Sequence, residues 1–197
     1  MITARIFGVY AAILAFIHGI FEIQQGNILV ESISINAVGN GCVSDQIWHA
    51  CFPAMTLWPT YLSAGLVAIS ISSLFFLFIL FFLKKSYSAW IMIAFAIANL
   101  LSGGGFIPTF TIIMAAVAVL INKKPLQNLE NKQKPYNIVW SIFLSIYLLY
   151  AAGGWLFGSF LNTFMIENSF LLFFTMDLLI PIFCIVFARM AGIRTSA

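Results

Sequence analysis

Apolar residues along this chain run in long uninterrupted blocks, and the polar residues between them come in short clusters that set the block ends. A helix needs about 20 residues to cross a hydrocarbon layer of about 30 Å, so blocks of this length predict membrane-spanning helices. The first is expected over 4–25 and the second over 57–83, stopping at Lys84-Lys85. A third block, 89–121, ends at Lys123-Lys124 and is broken by Gly103-Gly104-Gly105 and Pro108. The last two spans are expected over 138–157 and 169–188, the latter stopping at Arg189.

The third block decides the count. As one helix it would be too long and would put lysines on opposite sides of the membrane. Glycine triplets make poor helix interiors and good turns, so the block reads as a hairpin of spans 89–104 and 106–122, each near the lower length limit. With six spans and a cytoplasmic N-terminus, Arg5, Lys84, Lys85, Lys123, Lys124, Lys132, Lys134, Arg189 and Arg194 all fall on the cytoplasmic side. These are all 9 basic residues of the chain, the asymmetry that the positive-inside rule describes. The expectation is an all-α, polytopic bundle of six transmembrane helices, forming one domain over 1–197 with both termini cytoplasmic and an outer loop over 26–56. The first block is expected to be a retained helix, because His18 and Glu22 interrupt it and no small-residue cleavage pattern follows.

Composition supports lipid as the solvent. The chain is 62% hydrophobic and 8% charged, with a mean hydropathy of +1.05, whereas a soluble domain carries roughly 25% charged residues. The net charge of +3 does not point to nucleic acid, since no basic cluster with interleaved aromatics accompanies it. Trp48, Trp58 and Trp155 fall near the expected outer interfaces, where indoles anchor. Ala151-Ala152-Gly153-Gly154 and Gly158 have a small-xxx-small spacing that would allow close helix contact in the fifth span. Segment 122–137 is polar and lysine-rich and reads as a cytoplasmic linker.

The outer loop carries Cys42 and Cys51. Outside the cytoplasm two nearby cysteines commonly pair, and closing so small a loop would stabilise the fold by about 2 to 3 kcal/mol. A structural disulfide is the favoured reading. A redox-active pair usually has C-x-x-C spacing, absent here, and a zinc site using Asp45 and His49 between the cysteines has no familiar ligand spacing. Cys184 is most simply a small buried apolar residue.

Ionisable side chains at membrane depth cost several kcal/mol unless paired, neutral or wetted, which makes each a functional candidate. His18 and Glu22 stand one turn apart on the first span and share a face, with Gln25 near it. Asn99 precedes the glycine turn, and Asp177 lies near mid-depth of the last span. Because lipid offers no hydrogen bonds, polar faces turn inward. A polar, ligand-binding cavity in the outer half of the bilayer is therefore expected from His18, Glu22, Gln25, Asn99 and Asp177, covered by the outer loop and the Gly103–Pro108 turn. The competing expectation is a structural hydrogen-bond network with no ligand.

His18-Gly19 with Glu22 and Gln25-Gly26-Asn27, then Cys42, Cys51 and Pro53, then Gly103-Gly104-Gly105-Phe106-x-Pro108, resembles a group of small uncharacterised bacterial multi-pass membrane proteins. The resemblance covers roughly residues 1–120. It implies a multi-pass topology and a bacterial inner-membrane location, and it implies no mechanism.

Three functions remain open on the sequence. One is binding or transport of a small or lipidic ligand, with Glu22 or Asp177 coupled to protonation. Another is a membrane-embedded enzyme acting on a lipid or quinone, with His18 as general base beside a carboxylate. The third is an accessory subunit of a larger membrane complex. Two histidines in the chain are too few for a three-histidine zinc centre. A metal held by His18 and a carboxylate, Glu22 or Asp177, stays open under the enzyme reading, and the sequence identifies no cofactor. Membrane lipids are the expected partners, and a homo-oligomer or larger complex fits as well.

Overall fold

The computed structural model describes residues 1–36, 53–122, 133–158 and 160–192. Cys42, Cys51 and their expected pairing, with Asp45, Trp48 and His49, lie outside the described residues.

Helix α1 spans Ile2–Gln24 and carries a ridge of small residues, Ala4, Gly8, Ala11, Ala15 and Gly19, that is buried along its length. This ridge meets α2, Tyr61–Phe81, almost backbone to backbone. A methyl group at Gly65 would lie 2.5 Å from the Gly19 carbonyl oxygen, and one at Gly8 would lie 2.7 Å from Ile79 Cδ1. Lipid tails give apolar helices no hydrophobic reason to associate, so close packing of small residues takes that role. In the fifth span a methyl group at Gly153 would meet nothing within 4 Å.

Between α1 and α2 the chain turns at Gly26, whose φ of 77° is the left-handed region that glycine enters without a side-chain penalty. Strand β1, Ser34–Asn36, pairs antiparallel with β2, Pro53–Met55, in the register Ile35 opposite Ala54. Ile35 and Ala54 pack on Tyr61 in a small cluster of their own. The second helix begins later than position 57 because the chain bends at Trp58 and Pro59 and Thr60 is still extended, bridging to Leu29. Thr60 then caps the helix, its Oγ1 accepting from the Ser63 amide at 3.2 Å, which satisfies one of the free N–H groups of the first turn.

Helices α3, Ser88–Leu101, and α4, Phe106–Asn122, form a hairpin. Gly103 and Gly105, with φ of 94° and 86°, reverse the chain, and Pro108 sits in the first turn of α4, where its missing N–H costs no hydrogen bond. Helix α5 covers Gln133–Phe157 and starts earlier than the sequence suggests, with Pro135 in its first turn. A short α6, Asn162–Glu167, precedes α7, Ser169–Met190.

One stretch of α7, Phe173–Leu179, is wound as a π-helix. Pro181 has no N–H to return to the carbonyl of Asp177, and its ring would crowd that carbonyl in a regular helix. The wider turn relieves the conflict, and the Ile180 amide reaches back five residues to the Thr175 carbonyl.

The main core joins α1, α2, α3 and α4 through Phe7, Phe75, Ile79, Met92, Ile112 and Val119. Tyr147 of α5 inserts edge-on between Phe7 and Tyr10 at ring distances of 5.0 and 5.6 Å. Phe143 stacks on Phe183 and Phe187, joining α5 to α7. The outward faces carry exposed large apolar residues, among them Leu74, Phe81, Trp90, Ile138, Leu149 and Phe170. Such a surface is unfavourable in water and normal against lipid. Among the described residues four helices, α1, α2, α5 and α7, are long and apolar enough to cross a membrane, while α3 and α4 are shorter apolar helices. The chain is a multi-pass helical membrane protein.

Candidate functional site

Each glycine of the Gly103–Gly105 turn stands against a different polar side chain. A methyl group at Gly103 would collide with both carboxyl oxygens of Glu22, and one at Gly104 with the amide of Asn99. One at Gly105 would lie 2.9 Å from His18 Nδ1. The turn is thus a glycine cradle, in which bare backbone closes over polar groups from α1 and α3 that a bulkier residue would push aside.

Asn99 is anchored. Its Nδ2 donates to Thr109 Oγ1 at 2.9 Å, and Thr109 donates to the Gly105 carbonyl at 2.8 Å, which ties both ends of the turn together. Glu22 is buried completely. His18 Nε2 lies 4.0 Å from Glu22 Oε1, beyond hydrogen-bond range. Among the described residues His18 Nε2, both Glu22 oxygens and Asn99 Oδ1 have no hydrogen-bond partner. Buried polar atoms are rarely left so, because each costs its full desolvation penalty.

The segment that follows β2 lies against this turn. Thr56 bridges to Ser102, one residue before the glycines, and the Leu57 amide donates to the Leu101 carbonyl at 3.0 Å. Both Thr56 and Ser102 are buried.

On the other side of His18 a small chamber of about 40 Å³ opens, lined in part by Tyr10, His18, Phe21, Gly105, Tyr150 and Asp177. That space has room for about three water molecules at roughly 10–15 Å³ each. Asp177 enters from the π-helical turn of α7 and is 4% exposed. The Tyr150 hydroxyl donates to its Oδ2 at 3.3 Å.

A second cavity of about 550 Å³ adjoins the chamber, formed by α4, α5, α6 and α7 around Phe110, Met165, Ser169 and Phe173. Phe106, Ile107, Tyr150 and Asp177 line both spaces. Its volume lies within the range of small-molecule sites.

Of the five residues expected to form one cavity, His18 and Asp177 line the chamber. Glu22 and Asn99 stand against the glycine turn instead, Glu22 near His18, and neither lines either cavity. Gln25 is half-buried and its Nε2 donates to the Phe21 carbonyl at 3.4 Å, so it lines neither. Sequence reading passed over Tyr10 and Tyr150, because tyrosines in an apolar run look like interface anchors. It also passed over the π-turn, although Pro181 four residues after Asp177 was a readable signal. Among the described residues no three His, Cys, Asp or Glu side chains group closely enough to hold a metal ion.

No protein-family model, curated protein or solved structure matches this chain.

Proposed function

We propose that the protein is a six-span inner-membrane protein, with both termini cytoplasmic, that binds an amphipathic ligand and presents it to or carries it through the membrane. The apolar body of the ligand lies in the cleft between α4, α5 and α7, and its polar end reaches the chamber at Asp177, Tyr150 and His18. The observation that carries this reading is that the two spaces share Phe106, Ile107, Tyr150 and Asp177 as lining. An apolar cleft of about 550 Å³ thus adjoins a chamber whose mostly apolar walls carry the polar groups of His18, Tyr150 and Asp177, and ligand sites characteristically combine apolar walls with a few convergent polar groups.

Native mass spectrometry of the protein released from mild detergent tests it. The expected result is a retained organic adduct that diminishes in Ser169→Trp, which fills the cleft from an exposed position, and in Asp177→Asn. A bare protein of unmodified mass in the wild type would overturn the reading.

A further inference from the structure

We infer that the ligand taken by the cleft and chamber is an organic cation, an ammonium or phosphonium centre on an apolar body. This deepens the proposed function and rests on its reading of the two cavities as one site. The first support is charge. Among the described residues the ionisable side chains lining the two spaces are Tyr10, His18, Tyr150 and Asp177, with no lysine or arginine. Asp177 is almost fully buried, and the hydrogen bond it receives from Tyr150 is long. A carboxylate taken out of water and given one weak donor gains most from a positive group brought beside it. An anionic head group would meet that carboxylate with His18 as the one basic side chain among the described lining residues, and no lysine or arginine beside it.

The second support is aromatic. Tyr10, Phe21, Phe106 and Tyr150 surround the chamber, and Phe106, Phe110, Tyr150, Phe170 and Phe173 line the cleft. Ring faces attract cations and are strongest where water is excluded. They also accept an apolar body, so a single surface serves both halves of a lipophilic cation. The π-turn contributes position, because it brings Asp177 to the boundary shared by the two spaces.

Tetraphenylphosphonium and tetraphenylborate have the same shape and opposite charge, and they separate this inference from the broader one. Binding of each is measured on the intact protein in lipid nanodiscs, with empty nanodiscs subtracted. Tetraphenylphosphonium is expected to bind saturably, and to bind at least about tenfold more weakly to Asp177→Asn, with Asp177→Glu retaining part of the affinity. Tetraphenylborate is expected to show no saturable binding to the wild type. Comparable binding of both ions, blocked by Ser169→Trp, would overturn the cation preference and leave the cleft reading standing. Equal tetraphenylphosphonium affinity in wild type and Asp177→Asn would also overturn it. Binding of neither ion, together with a wild type that carries no adduct in the mass spectrum, would overturn both.

Discussion

Gly103 rests directly on the carboxyl group of Glu22, so close that a single added methyl would occupy the space of both oxygens. The contact joins the turn between α3 and α4 to the C-terminal end of α1. It also explains why the α3–α4 connection is glycine at this point on two independent grounds, the left-handed φ of 94° and the absence of room.

Gly103→Ala therefore strains the backbone and displaces Glu22 together, and should destabilise the protein by about 2 kcal/mol or more. Thermal unfolding in detergent would show a midpoint several degrees lower. Combining it with Glu22→Ala should recover the steric part and leave the backbone part. A Gly103→Ala protein as stable as wild type would show that the cradle is not closed as described.

Two other glycines make opposite predictions. Gly65→Ala drives its methyl into the Gly19 carbonyl and the Ile23 backbone nitrogen, so α1 and α2 must separate. A loss of about 1 to 3 kcal/mol is expected. Gly153→Ala adds its methyl to open space within a helix and should be neutral or slightly stabilising. If the two variants unfold at the same temperature, the small-residue ridge is not what holds α1 to α2.

Replacing Pro181 by alanine restores the N–H that a regular helix returns to the Asp177 carbonyl. The π-turn is then free to tighten, which rotates Asp177 relative to α5. Folding should be preserved, while tetraphenylphosphonium affinity falls and the effect of removing the Tyr150 hydroxyl shrinks. Unchanged affinity in Pro181→Ala would mean that the wide turn does not position the carboxyl.

The topology is tested by single cysteines in a background without native ones. With both termini cytoplasmic, a cysteine at Asn27 should react with an impermeant maleimide in intact cells. Cysteines at Ser86 or Thr195 should react only after the membrane is opened. Labelling of position 86 from outside would invert the arrangement and remove the explanation given for the basic residues.

The break between α3 and α4 was legible because glycine and proline act through the backbone alone, and their effect does not depend on what surrounds them. The polar set at His18, Glu22, Asn99 and Asp177 was legible because charge in an apolar run is rare. How those side chains divide was not. Whether Glu22 faces a cavity or the underside of a turn depends on a helix rotation of one residue, and the apolar pattern of α1 is nearly featureless around its circumference. The alanines of α1 read as filler until Gly65 is seen across from Gly19. For Tyr150 the deciding fact is its hydrogen bond to Asp177, 27 residues away, and for Tyr10 its ring contact with Tyr147 of α5, neither of which a local pattern encodes.

The shortness of the α3–α4 hairpin reaches beyond the protein itself. At 1.5 Å per residue, the 14 residues of α3 rise about 21 Å, against about 30 Å of hydrocarbon. In the six-span arrangement the lipids flanking this hairpin must shorten their chains to match it, at a cost of a fraction of a kcal/mol per Å. The bilayer beside the protein is then dimpled on one side, and membranes that are already thin accommodate it with the least work.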